Sequence, residues 1–179
     1  AIDEARAAGI TDFIFVTAKG KSALEDYFDG APELVRSLKS RNKLDLLRAI
    51  EPSEMPSGAI SYIRQQEALG LGHAVWCARH LVGDEPFAVI LPDDVIAAET
   101  PCLAQVVEAY GEGGGSVVAA MQVAPNDAPN YGIIDPASQT GRLIAAKGLV
   151  EKPSKQDSPS SLAVIGRYIL TPSVMRTLE

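Results

Sequence analysis

Two adjacent carboxylates follow an apolar run: Pro86-Phe87-Ala88-Val89-Ile90-Leu91 leads into Pro92-Asp93-Asp94-Val95. The apolar run reads as a buried strand, which puts Asp93 and Asp94 at its carboxyl end. In an open α/β sheet ligands bind at that edge. A carboxylate there suits a hard divalent cation, and Mg²⁺ is typically held by one or two carboxylates together with substrate phosphates. The same pair also reads as a polar turn that caps the next helix.

Four further groups have chemical potential. Gln65-Gln66 is followed by Gly70-Leu71-Gly72-His73-Ala74, where a strand gives way to a helix. Glycine allows positive φ and close backbone approach, a helix start offers N–H donors, and glutamine carries both the donors and the acceptors that a uracil or thymine edge needs. The alternative is an ordinary glycine-rich loop with solvated glutamines. This segment is neither a Gly-x-Gly-x-x-Gly fingerprint nor a Walker loop. Tyr131-Gly132 opens a strand, where Gly132 could let a sugar hydroxyl meet the backbone or simply serve a turn. Val150-Glu151-Lys152-Pro153 closes another strand, since proline ends ladder pairing. Glu151 could accept hydrogen bonds from sugar hydroxyls and Lys152 could neutralise phosphate, or the two could be a surface charge pair. Gly166-Arg167-Tyr168 interrupts a third apolar strand. Gly166 there marks a bulge or a close approach, and Arg167 alternates away from the core toward solvent. His73 and His80 are seven apart and read as polar packing.

These residues must be positioned by elements that alternate in type. Strands are expected at Phe13–Thr17, Ile60–Arg64, Phe87–Leu91 and Val117–Val123. Helices are expected at Ser22–Phe28, Pro32–Ile50, Gly72–Leu81 and Pro101–Tyr110. Gly9 is placed to end a helix that occupies Ala1–Ala8. Strand–helix alternation predicts an α/β fold with a doubly wound, mixed but mostly parallel sheet. The second half changes character: Ile133-Ile134, Leu143–Val150 and Leu162–Leu170 are strands without helices between them. A single domain over 1–179 is expected, with an α/β half at 1–125 and a β-rich half at 126–179. With 179 residues the chain can bury a sizeable core. Its formal charge of −7 lacks a basic nucleic-acid footprint. Cys77 and Cys102 form no metal-ligand or disulfide pattern, which fits a reducing cytoplasm. No apolar run approaches the ~18 residues of a membrane span.

Taken in order, Gln65, Gly70-Leu71-Gly72-His73-Ala74, Leu91-Pro92-Asp93, Tyr131-Gly132, Glu151-Lys152-Pro153 and Gly166-Arg167-Tyr168 resemble the sugar-1-phosphate nucleotidyltransferase family over nearly the whole chain. Ala8-Gly9-Ile10-Thr11 and Leu149-Val150-Glu151-Lys152-Pro153 are particularly like its uridylyl-transferring branch. The resemblance implies a Rossmann-like core and transfer of a uridylyl group from UTP to glucose 1-phosphate, giving UDP-glucose and pyrophosphate. It implies that Gln65, Gly70 and Gly72 hold the pyrimidine, that Asp93 is a catalytic Mg²⁺ ligand, and that Lys152 contacts phosphate. It assigns the hexose to Gly132, Glu151 and the region of Gly166. It also implies a homo-oligomer, dimer or tetramer. Thymidylyl transfer within the same family stays open. The family's glycine-rich Gly-x-Gly-Thr-Arg loop would precede Ala1, and a second metal-binding aspartate would follow Glu179. Truncation at both ends is therefore expected, and a non-catalytic nucleotide-sugar-binding fragment is the rival reading.

Overall fold

The computed structural model describes residues 1–50 and 55–179. They form two compact units, one of Ala1–Ile10 with Asp84–Val174 and one of Thr11–Gly83 with Met175–Glu179. No helix among the described residues is long and apolar enough to cross a membrane.

The unit containing Thr11–Gly83 is built on two parallel strands, β1 (Phe13–Thr17) and β2 (Ile60–Arg64), paired from Phe13↔Ile60 to Thr17↔Arg64. The Gln65 N–H continues this ladder by donating to the Thr17 carbonyl at 2.9 Å. The carboxyl ends of both strands therefore lie together, with Gln65 immediately beyond them. The crossover between them carries the helices α2 (Ser22–Phe28), α3 (Pro32–Ser40) and α4 (Leu44–Ile50). The apolar spacing of Leu34, Leu38 and Leu46 predicts one helix over 32–50, but the chain divides at Arg41-Asn42-Lys43. Asn42 takes φ 53, and the N–H groups of Asn42 and Lys43 cap the Lys39 and Leu38 carbonyls at 3.1 and 2.9 Å. Asparagine tolerates this left-handed position at a helix end, so local capping overrides the periodicity. The helix expected over 72–81 is also two, α5 (Leu71–Cys77) and α6 (Arg79–Val82), parted at Ala78, which itself keeps right-handed helical angles (φ −83, ψ −5).

The other unit holds a five-stranded sheet of β3 (Phe87–Ile90), β4 (Val117–Gln122), β5 (Gly132–Thr140), β6 (Leu143–Glu151) and β7 (Leu162–Leu170). β7 pairs antiparallel with β3, β4 and β5, and β5 pairs antiparallel with β6. The α/β class is as expected, but pairing among the described strands is chiefly antiparallel. The reason is specific. β3, the helix α7 (Cys102–Gly113) and β4 do form a crossover between strands of one direction, as alternation requires, but β7 enters between β3 and β4 and runs against both. It also draws β3, α7 and β4 together with the late strands, so the compact units do not divide near residue 125.

α7 packs on β7, and α1 (Ile2–Ala7) packs on α7. α1 ends as Gly9 predicts. Gly9 sits at φ 88, and the Gly9 and Ile10 N–H groups donate to the Arg6 and Ala5 carbonyls, each at 3.0 Å. Leu103, Ile133 and Ala163 are fully inaccessible and anchor the core.

Candidate active site

The Leu91–Asp94 loop begins where β3 stops. The Leu91 N–H still donates to the Gly166 carbonyl of β7 at 2.8 Å, and Pro92 then has no donor to continue the ladder. The two carboxylates diverge at this point. Asp94 is half-buried, and its Oδ2 accepts the Gly166 N–H at 2.8 Å. Asp93 is exposed, with no partner for its carboxylate among the described residues. Asp94 thus shapes the loop, and Asp93 is left exposed beside it.

Gly166 is buried, and a Cβ there would lie 2.5 Å from Leu91 Cβ and 2.7 Å from Asp94 Oδ2. Packing of the loop on β7 accounts for the glycine. Arg167 departs further from expectation. Its alternation predicts a solvated side chain, but it is 1% exposed. Its Nε and Nη2 bind the Glu4 carboxylate at 2.8–3.1 Å, while Nη1 donates to the Leu91 carbonyl at 3.1 Å and Nη2 to the Asp94 carbonyl at 2.9 Å. One guanidinium thereby grips the loop on either side of Asp93. Glu4 Oε1 also accepts the Leu103 N–H in the first turn of α7 at 3.0 Å, where a helix start favours negative charge. The hydrogen bond from Arg167 is the largest influence holding the Glu4 carboxyl below the usual range, and it outweighs burial, which acts the other way. Sequence reading missed Glu4: 163 residues separate it from Arg167, and its local pattern is that of an ordinary first-turn acid.

Gly132 and Glu151 stand opposite one another in the β5–β6 ladder. A Cβ on Gly132 would come within 3.1 Å of Glu151 Oε2, so glycine leaves this carboxylate room. The Lys152 N–H closes the ladder on the Tyr131 carbonyl at 3.0 Å, and Lys152 itself adopts φ 46. That left-handed residue breaks strand alternation just past Glu151. It is uncommon for a residue with a Cβ and is a reason to look for function there. The phenol of Tyr168 senses the charges of both the hairpin and the carboxylate loop. Burial raises its phenol pKa first, and the negative charges of Asp94, Glu151 and Asp93 raise it further.

In the other unit, Gln65, Gly70 and His73 form one cluster. Gly70 takes φ 92 and ψ −179 just before α5, a conformation that demands glycine. Gln65 Nε2 donates to the Gly70 carbonyl at 3.1 Å and lies 3.0 Å from His73 Nδ1. His73 stacks on Trp76 at 5.9 Å between centroids, and Arg79 covers the Trp76 ring at 3.5 Å. His73 is packed through polar and ring contacts, as expected, and His80 is exposed. A Cβ on Gly72 would meet Leu178 Cδ2 at 3.0 Å, so Gly72 serves helix packing here. Beside the cluster lies a cleft of about 550 Å³ lined by Ala18, Lys19, Arg64, Gln65, Gln66 and Ala68. That is the size of a small-molecule site. Of its cations, Arg64 leads the Arg64-Gln65-Gln66 run singled out from sequence, whereas Lys19 was not picked out, although it follows a strand end and precedes Gly20.

The nucleotidyl transferase family matches residues 2–179. The chain belongs to that family. It is 48% identical over 178 residues to the UTP–glucose-1-phosphate uridylyltransferase of Bacillus subtilis (strain 168), covering 99% of this chain and 61% of the relative. Against the enzyme of the same name from Komagataeibacter xylinus it is 44% identical, covering 99% and 63%. Among solved structures, a UDP-glucose pyrophosphorylase complexed with UDP-glucose superposes with TM-score 0.82 at 39% identity, covering 99% of this chain and 64% of that one. A UTP-bound UGPase from Acinetobacter baumannii gives TM-score 0.87 at 35% identity, covering 98% and 63%. The chain spans less than two thirds of the length of these proteins.

Proposed function

We propose that the protein transfers a uridylyl group from UTP to glucose 1-phosphate, releasing pyrophosphate and forming UDP-glucose. The observation that carries this reading is Asp93, an unpartnered carboxylate on a loop clamped by Arg167, Asp94 and Gly166. Family membership and the relatives' substrates support it. Among the described residues no cluster of three or more acidic, histidine or cysteine groups is arranged to hold a metal. One carboxylate is nonetheless a normal protein contribution to Mg²⁺, which takes its other ligands from water and substrate phosphates. The residues present therefore fit a cation that arrives with the nucleotide, and Asp93 would hold it. Such an ion would supply charge neutralisation for the phosphate oxygens.

The remaining work falls to positioning and local charge. A phosphate oxygen of glucose 1-phosphate attacks the α-phosphorus of UTP as the bond to the β-phosphate breaks. No side chain need act as nucleophile. Gln65 with Gly70 holds the base, Gly72 lets the following helix pack closely behind them, and Lys19 and Arg64 lend positive charge to the same cleft. Glu151, facing Gly132, accepts hydrogen bonds from hexose hydroxyls. Lys152 neutralises the sugar phosphate, and the left-handed turn that sets its position past the strand end is the kind of strain found at ligand clamps. In functional terms 1–125 would serve the nucleotide and 126–179 the sugar.

The test is pyrophosphate release from UTP and glucose 1-phosphate by the full-length protein, with dTTP in parallel. The proposal expects turnover that requires a divalent cation, prefers UTP and collapses in Asp93→Ala. Wild-type turnover by Asp93→Ala with Mg²⁺ present would remove the metal role. Binding of UDP-glucose without pyrophosphate release would leave a nucleotide-sugar-binding module instead.

A further inference from the structure

The amide of Gln65 has only one orientation that fits its surroundings. Its nitrogen lies 3.1 Å from the Gly70 carbonyl oxygen and 3.0 Å from His73 Nδ1. Turning the amide over would set Oε1 against the Gly70 carbonyl, acceptor against acceptor. The carbonyl therefore holds Nε2 inward, and Nε2 has a second hydrogen to place. That hydrogen points to His73 Nδ1, which must carry a lone pair. The imidazole proton then sits on Nε2, the nitrogen 3.9 Å from Cys77 Sγ. Stacking on Trp76 limits rotation of the ring.

The consequence concerns what remains for a ligand. Both amide hydrogens are engaged within the protein, so the unspent atom of Gln65 is Oε1, an acceptor. An acceptor selects a base that offers a donor. Uracil and thymine present their donor at the middle of the pairing edge, N3–H; cytosine has a lone pair there and carries its donor at the exocyclic N4, so an acceptor set against position 3 favours uracil or thymine.

We propose that His73 is a positioning residue that locks Gln65 with Oε1 outward, and that this lock sets the preference for a base with an N3–H over cytosine. The inference rests on the uridylyl reading and names the device that would enforce its base choice. His73 touches no reacting atom. It acts through Gln65, and it does so only in the tautomer that leaves Nδ1 unprotonated.

Two measurements test it. The first needs no substrate: ¹⁵N NMR of the folded, ligand-free protein should show His73 Nδ1 as an unprotonated ring nitrogen at neutral pH. A proton on Nδ1 would overturn the proposal, because two donors would then face each other. The second compares kcat/KM for UTP and CTP in wild type, His73→Leu and His73→Asn. Loss of one orienting hydrogen bond should lower the UTP-over-CTP ratio of His73→Leu about tenfold. His73→Asn, whose side-chain oxygen can stand near the place of Nδ1, should keep the ratio within about threefold of wild type. KM for glucose 1-phosphate should be unchanged in both variants. A folded His73→Leu protein with the wild-type ratio would refute the lock while leaving uridylyl transfer intact. Wild type without any preference for UTP would refute the uridylyl reading and this inference with it. Should His73→Leu fail to fold, the tautomer measurement still decides.

Discussion

Removing Glu4 should be far more damaging than its place in a six-residue helix at one edge of the chain implies. Among the described residues Glu4 is the sole carboxylate bonded to the buried guanidinium of Arg167, at 2.8 Å, and its side chain is 12% exposed against 2% for Arg167. Glu4→Ala leaves that charge buried and unpaired, a change that costs about 3–5 kcal/mol. It also strips the Leu103 N–H of its acceptor at the start of α7, worth about 1 kcal/mol more. The sum, roughly 4–6 kcal/mol, is a large part of the 5–15 kcal/mol that stabilises a typical domain. In urea unfolding, with a slope near 2 kcal/mol per M, the midpoint should fall by about 2–3 M. Arg167→Met removes the buried charge but abandons the Leu91, Gly166 and Asp94 carbonyls it holds, so it should also destabilise. The double variant should be better than the two losses added together, with a coupling of about 2 kcal/mol or more. Midpoints of Glu4→Ala within about 0.3 M of wild type, or a coupling below about 0.5 kcal/mol, would refute the argument that this pair anchors the Asp93 loop. Under conditions where Glu4→Ala remains folded, the Mg²⁺ concentration for half-maximal turnover should rise, since Arg167 would no longer hold both flanks of Asp93 in one geometry.

Four other outcomes are expected. Acid should expose the same pair. The folded pKa of Glu4 lies below its unfolded value of about 4.3, so its stabilisation is complete above that value and drains away as pH falls through the folded one. The urea midpoint of wild type should therefore drop more between about pH 5 and 3 than that of the Glu4→Gln variant. Gly166→Ala places a methyl 2.5 Å from Leu91 Cβ, where only backbone movement relieves the clash, and should destabilise by about 2–4 kcal/mol in calorimetric unfolding. Lys152→Gly and Lys152→Ala both remove the charge and should raise KM for glucose 1-phosphate about tenfold or more, as loss of a charged hydrogen bond does. At φ 46 the glycine variant should nevertheless be about 1 kcal/mol more stable than the alanine variant by denaturant titration. Asp93→Asn should cut Mg²⁺-dependent turnover at least about 100-fold in a pyrophosphate-release assay, with an unchanged unfolding midpoint because Asp93 is exposed and unpartnered.

Local patterns along the chain were enough for the strands at 13–17, 60–64 and 162–170, the helix-ending Gly9, and the order of chemical groups from Gln65 to Lys152. These depend on apolar periodicity, glycine and proline, all of which act within a few residues. Local pattern was not enough where neighbours distant in sequence decide. Asp93 and Asp94 read alike as adjacent acids after a strand. Only the approach of β7 separates them, giving Asp94 the Gly166 N–H and leaving Asp93 exposed. Arg167 occupies a strand position that alternation assigns to solvent, and it is buried because α1 brings Glu4 to it. The antiparallel insertion of β7 between β3 and β4 has the same origin: strand–helix alternation sets the direction of a strand but not which strand lies beside it. His73, seven residues from His80 and without a metal partner, carried no distinguishing local signal. Its meaning came from the loop that folds Gln65 back onto Gly70, where hydrogen-bond donors and acceptors must match one by one. Residue types and spacing thus determined which groups were available for chemistry. Tertiary structure decided which of them were consumed in holding the fold and which were left exposed, because a buried polar group must find its partner wherever the chain brings one.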